Sequence, residues 1–172
     1  TPAPSSPPTS LPTLEPTLLP TNAPTPSPTV GWTAATYEGT WASYDAANWS
    51  PARYKMDSNG IVYLDGLVKG GSAPNSVIFT LPAGYRPTLD AMFSVETGPN
   101  NVNGRVDVYP NGEVYMVSGS SVFLSLAGIS FGAAAFDGLW TMASYQNGWA
   151  SYHPTWSPAR YMLDSNGIVR MD

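Results

Sequence analysis

From residue 4 to residue 28, proline returns at every fourth position: Pro4, Pro8, Pro12, Pro16, Pro20, Pro24 and Pro28. Each is followed by a hydroxyl residue, namely Ser5, Thr9, Thr13, Thr17, Thr21, Thr25 and Thr29. Proline fixes φ and has no N–H to donate, so a helix or a sheet interior is closed to this stretch. The conformation left to it is polyproline II, extended and solvated. Ten of the 18 prolines fall in the first 29 residues, and all 16 glycines fall after them. The other two places of the repeat vary freely, as in Leu14-Glu15, Leu18-Leu19 and Asn22-Ala23. A plain spacer accounts for this composition but needs no register. Polyproline II has 3 residues per turn and rises about 3.1 Å per residue, so four residues advance about 12 Å and rotate by a third of a turn. Groups attached once per repeat therefore point in three directions around a rod whose reach is on the order of 90 Å. Ser/Thr-rich sequence with proline is the composition of O-glycosylated stalks. The seven hydroxyls are candidate attachment points for sugar, as are the prolines before them if hydroxylated.

A linear Pro-Ser/Thr tetrapeptide repeat of this kind resembles the protein core of extracellular glycofibrils, over residues 4–29. That resemblance implies a thin peptide sheathed by glycans on Ser/Thr and on hydroxylated proline. It makes Ser5, Thr9, Thr13, Thr17, Thr21, Thr25, Thr29 and Pro4, Pro8, Pro12, Pro16, Pro20, Pro24, Pro28 the carriers. Pro2, Pro7 and Pro26 lie off the register and are not assigned sugar.

The remainder of the chain repeats itself. Trp32-Thr-Ala-Ala-Thr-Tyr37 returns as Trp140-Thr-Met-Ala-Ser-Tyr145, and Trp41-Ala-Ser-Tyr44 as Trp149-Ala-Ser-Tyr152. Trp49-Ser-Pro-Ala-Arg-Tyr54 returns as Trp156-Ser-Pro-Ala-Arg-Tyr161, and Asp57-Ser-Asn-Gly-Ile-Val62 as Asp164-Ser-Asn-Gly-Ile-Val169. The offset is 108 residues for the first two blocks and 107 for the last two. Three regions follow: a stalk over 1–30, a module over 31–136, and a partial second copy over 137–172. The second copy reaches Asp172, the counterpart of Asp65. Part of a sandwich buries too little apolar surface to offset its ordering entropy. The expectation is that the polypeptide continues or that a neighbouring molecule supplies the missing strands. Thr1 in place of an initiator Met likewise fits a processed product or a fragment.

Within 31–136 no stretch keeps a helical period, and turn signals recur every eight to twelve residues. Ser58-Asn59-Gly60 and Pro110-Asn111-Gly112 separate apolar-alternating runs, a strong hairpin cue. Strands are expected near 40–45, 52–56, 61–69, 76–81, 90–97, 104–109, 113–118, 121–126 and 128–131. Val106/Val108 and Val114/Met116 alternate with polar neighbours, as half-buried strands do. The fold class that follows is all-β, an antiparallel β-sandwich or jelly roll. Four segments carry a second likeness: Gly60–Gly71, Phe79-Thr-Leu-Pro-Ala-Gly-Tyr-Arg-Pro87, Arg105–Val114 and Leu124–Phe131. Together, over residues 60–131, they resemble the β-rich head modules of phage tail fibres and baseplates. The resemblance implies structural display, often trimeric, with receptor or carbohydrate binding and no catalytic residue to carry over.

Other chemistries find little purchase. Seven Lys+Arg against twelve Asp+Glu cannot neutralise a run of phosphates, which disfavours nucleic-acid binding. The absence of Cys removes disulfides, thiolate nucleophiles and Cys-ligated zinc. No run of 18 apolar residues is present to span a membrane as a helix. The single histidine, His153, lies in the partial copy, and the matching stretch Asp45 to Asn48 has none, so a Ser-His-Asp arrangement has no seat in the module. Asp57-Ser58-Asn59-Gly60 and Asp164–Gly167 alternate oxygen ligands like a calcium loop but lack its further ligands, and hairpin turns are the simpler account. Asn48-Trp49-Ser50 is an N-glycosylation sequon whose Asn is replaced by Thr155 in the second copy. Six Trp and ten Tyr suit either sugar stacking or packing, and the return of Trp32, Trp41 and Trp49 at matching places favours packing. Arg53 and Arg160 are expected to stack or pair within the module.

The sequence thus reads as a non-enzymatic structural subunit of an extracellular, glycan-coated fibre. No cofactor or metal is expected, and the partners are copies of the chain itself and attached glycans. The alternative is a phage-type or cell-surface adhesin whose β-head binds carbohydrate, with the proline segment as spacer.

Overall fold

The computed structural model describes residues 31–72 and 74–172. The stalk, with every O-glycan candidate named above, lies outside the described residues. Within them the regular structure is almost wholly antiparallel strand, as a sandwich-like all-β module followed by a small third sheet.

Four strands form the smaller layer of the module: β1 (Thr33–Ala34), β3 (Arg53–Met56), β4 (Ile61–Asp65) and β11 (Ser130–Gly132), in the order β1-β3-β4-β11. The larger layer holds β2 (Ala42–Ser43), β5 (Leu67–Lys69), β6 (Ser76–Thr80), β7 (Ala91–Thr97), β8 (Val102–Val108), β9 (Glu113–Ser118) and β10 (Leu124–Ser125). Its order is β2-β5-β10-β7-β8-β9-β6, and it curls like half a barrel. The apolar alternation explains the packing. Met56, Val62 and Leu64 of the small layer, with Phe131, meet Val68, Ile78, Phe79, Val106, Val114, Met116 and Leu124 of the large one. Each side chain of this size contributes roughly 1.5–3 kcal/mol when fully buried.

The Asn-Gly signals are hairpins of three loop residues rather than two. Asp57 N–H donates to Ile61 O at 2.9 Å, and Tyr109 N–H donates to Glu113 O at 3.0 Å. Between them sit Ser58-Asn59-Gly60 and Pro110-Asn111-Gly112, each ending on a left-handed glycine, with φ 77° and 97°. That is a type I turn followed by a bulge.

The strand expected over 61–69 is two strands. Gly66, at φ 123°, turns the chain from the small layer into the large one, and a Cβ there would lie 2.4 Å from the Pro51 carbonyl oxygen. Only glycine passes that corner. Asp107, expected as the exposed partner between Val106 and Val108, is buried. The opposite face of the curled sheet is itself covered there, and Arg105 neutralises the carboxylate.

After a single 3-10 segment, Ala134–Leu139, the repeat forms β12 (Thr141–Met142), β13 (Arg160–Leu163) and β14 (Val169–Met171), in that order. These are the counterparts of β1, β3 and β4, and they reproduce the local bonding. Tyr37 Oη accepts from Ala52 N–H at 2.9 Å, and Tyr145 Oη from Ala159 N–H at 3.0 Å. Asp57 Oδ1 accepts from Asn59 and Ile61 N–H, each at 2.9 Å, and Asp164 Oδ1 from Asn166 and Ile168 N–H at the same distances.

Candidate functional site: the seam between the repeats

The residues with the densest polar and aromatic contacts sit where the second repeat rests on the first. A loop from each side supplies backbone pairing. Asp90 N–H donates to Thr155 O at 2.8 Å, and Ser157 N–H donates to Asp90 O at 3.0 Å. Trp156, held by this pairing, lies under the Arg105 guanidinium, 5.0 Å from its ring centroid. Arg105 in turn grips Asp107 with two bonds, of 2.7 and 2.8 Å. The two residues are two apart on β8 and so share a face.

Within the second repeat, beside this seam, Arg160 is almost fully buried. Its guanidinium bonds Asp172 at 2.5 Å and Asp137 at 2.6 Å, and stacks on Trp140 at 4.8 Å. The same arrangement in the first repeat has Arg53 paired with Asp65 at 2.6 Å and stacked on Trp32 at 4.7 Å. The expectation that both arginines act within their modules is met by this geometry.

Two glycines of the first module make room for aromatics at the seam, Phe136 at the module's own end and Trp140 of the second repeat. A Cβ on Gly60 would lie 2.1 Å from Phe136, and one on Gly132 would lie 2.6 Å from Trp140 Nε1. A glycine inside a strand marks such close approach, and Gly132 was therefore legible as a signal. Asp90 and Arg105 carried no signal of this role in the sequence, because their partners Thr155, Ser157 and Trp156 come from the other repeat, more than 50 residues away along the chain.

Titration is shifted beside this seam. Burial, then the Asp107 charge, pushes the Tyr109 phenol up to about 12, and its hydroxyl donates to Asp107 Oδ2 at 3.3 Å. The Asp107 hydrogen bond, with its charge, holds Arg105 above the ordinary guanidinium value.

The sequence-derived candidates fall elsewhere. Asn48 is exposed at the end of the turn begun by Asp45, and its Nδ2 donates to Asp45 Oδ2 at 2.7 Å. That bond, with the Ala47 N–H, holds the Asp45 carboxyl below the usual range. Both oxygens of the Asp57 carboxylate are engaged locally, Oδ1 by the turn and Oδ2 by the Tyr63 hydroxyl at 3.0 Å. His153 is exposed, its Nδ1 3.0 Å from Thr155 Oγ1. Among the described residues there is no group of three or more acidic or His side chains arranged to hold a metal, and no helix is long and apolar enough to cross a membrane.

Two of the clefts among the described residues bear on the site. One, of about 330 Å³, lies in the seam between Met92, Phe93, Tyr152, Trp156 and Met171. The other, of about 250 Å³, runs along the first module between Tyr44, Trp49, Leu67, Glu96 and Phe123. Tyr44 and Phe123 meet edge to face at 6.0 Å, and Lys69 lies 5.6 Å over Tyr44. Compared with known protein families, with curated proteins and with solved structures, the chain finds no match.

Proposed function

We propose that this chain is a non-enzymatic structural subunit of an extracellular fibre, with a glycan-coated stalk and with β-modules that make the subunit contacts. The observation that carries the reading is the unbroken Pro-Ser/Thr register of residues 4–29, a spacing with no purpose in a bare spacer and a clear one in a decorated rod. The seam supports it. A module that seats its own repeat through paired backbone and the Arg105–Trp156 stack has the vocabulary of assembly rather than of substrate turnover. Copies of the chain and covalently attached glycans are the partners.

Intact-mass measurement of the natural product tests the proposal. A mass well above the 18.3 kDa of the polypeptide, spread in hexose and pentose steps that map to residues 1–29, is the expected result. A bare polypeptide mass overturns it. A second reading, a carbohydrate-binding adhesin, is favoured by one feature: the exposed Trp49 beside Tyr44 and Phe123 offers ring faces of the kind that stack on sugars. A bare stalk together with glycan affinity that is lost in Trp49→Ala would select that reading.

A further inference from the structure

The third sheet is turned inside out relative to its counterpart. In the first repeat, the face of β3 and β4 that carries Met56, Val62 and Leu64 is the interior of the sandwich, with exposures of 1%, 0% and 2%. The matching positions of the second repeat, Leu163, Val169 and Met171, are 67%, 61% and 86% exposed. Trp41, 4% exposed, becomes Trp149, 79% exposed. The opposite face, carrying Arg160 and Met162, is the buried one in the second repeat, because it rests on the first module. A docked sheet therefore presents its would-be interior to solvent.

The first repeat also shows what covers such a face. Its complement is residues 66–133, which supply the whole large layer except β2, together with β11. Trp41 is clamped by that complement: Gly71 lies against its ring, where a Cβ would come within 2.2 Å, and its Nε1 donates to Ser76 Oγ at 3.0 Å. β4 continues into β11, with Leu64 N–H donating to Ile129 O at 3.0 Å, whereas β14 is the outermost strand of its sheet among the described residues. On the outward face the two repeats keep Arg160, Ile168 and Asp172 as in the first copy and differ at Lys55 against Met162 and Tyr63 against Arg170. They keep apolar side chains where they face the interior, with Trp149, Leu163, Val169 and Met171. A face meant for water has no reason to keep that pattern.

We propose that residues 139–172 are an acceptor for a polypeptide segment with the residue pattern of 66–133, which closes over Trp149, Leu163, Val169 and Met171 to make a second sandwich. The partner is defined by its chemistry: a β-rich segment offering a glycine against the Trp149 ring, a hydroxyl to its Nε1, and an apolar large layer. The inference stands whether or not residues 4–29 carry sugar.

The test uses the full chain with a copy of residues 66–133 appended after Asp172, read by amide hydrogen exchange and by acrylamide quenching of tryptophan. Amides of 160–163 and 169–171 should slow on the order of a hundredfold or more, toward those of 53–56 and 61–65, and Trp149 should become as shielded as Trp41. A second chain, without the appended copy, carries Val62→Asp and Leu64→Asp. With the first interior spoiled, the released 66–133 segment should move to the second repeat, and protection should pass from 53–65 to 160–171. Fast exchange over 160–171 in both chains overturns the proposal. So does protection that appears in the unaltered chain as its concentration rises while 53–65 stay protected, which would assign the face to the intact surface of a second copy, or on adding oligosaccharide, which would assign it to sugar.

Discussion

Asp107 sits between two buried valines on a strand, and its carboxylate is tolerable there only because Arg105 and Tyr109 bond it from two residues away on either side. Arg105 keeps its outer edge wet while Asp107 is 2% exposed in its side chain, so the two ends of the pair are unequal. Arg105→Met should therefore lower stability by about 2–3 kcal/mol, since it strands a buried charge that only partial solvent access can relieve. Chemical denaturation checks it, and Trp156 should lose its stacking partner in the same variant. Tyr109 makes the pH prediction. A phenol ordinarily ionises near pH 10 and this one is held to about 12, so the folded chain favours its neutral form. Its contribution to stability is complete below about pH 10 and fades as pH rises through about 12. Burial also raises the Tyr54 and Tyr63 phenols, so spectrophotometric titration should show several late phenolates, with one fewer in Tyr109→Phe. None of this was legible at the residue scale, because Val106-Asp107-Val108 reads as ordinary half-buried alternation. The bulge between Arg105 and Val106, visible only in the pairing of β8 with β9, is the irregularity beside the pair that the sequence pattern does not reveal.

Elements were more readable than residues. The strands over 53–56, 76–80, 91–97 and 113–118 follow directly from apolar alternation between turn residues, and Asn-Gly marked its hairpins. What escaped has a common cause. β1 and β12 are two residues long, too short to show a period, and owe their existence to pairing with β3 and β13. The corner at Gly66 falls inside the stretch expected as one strand, and its positive φ reveals the change of sheet. The strand β11 gives the sharpest test at this scale. Gly132 has an ordinary backbone, so alanine costs its own strand little, and the methyl collides only with the Trp140 indole. Gly132→Ala should unseat the second repeat while leaving the first folded. The expected readout is proteolytic cleavage within 139–172 and a red shift in tryptophan emission, with the far-ultraviolet strand signal of the first module retained.

At the scale of the whole molecule, the sequence disclosed the organisation through its 107–108-residue offset and could not disclose the seam, because an offset reports that two units match and not how they touch. The structure adds that the second unit meets the first through its exterior face, with Trp140 against Gly132 and Met162 buried, and not through the face that makes the first unit's core. Between the two units, Lys55 has become Met162 and Tyr63 has become Arg170, while the inward-facing positions keep their apolar type. A folding chain, which reads the inside, therefore treats the two as interchangeable; a neighbour, which reads the outside, can tell which is which. A polypeptide organised in this way lengthens by duplication with no redesign within, and its order of assembly is written in a few outward residues.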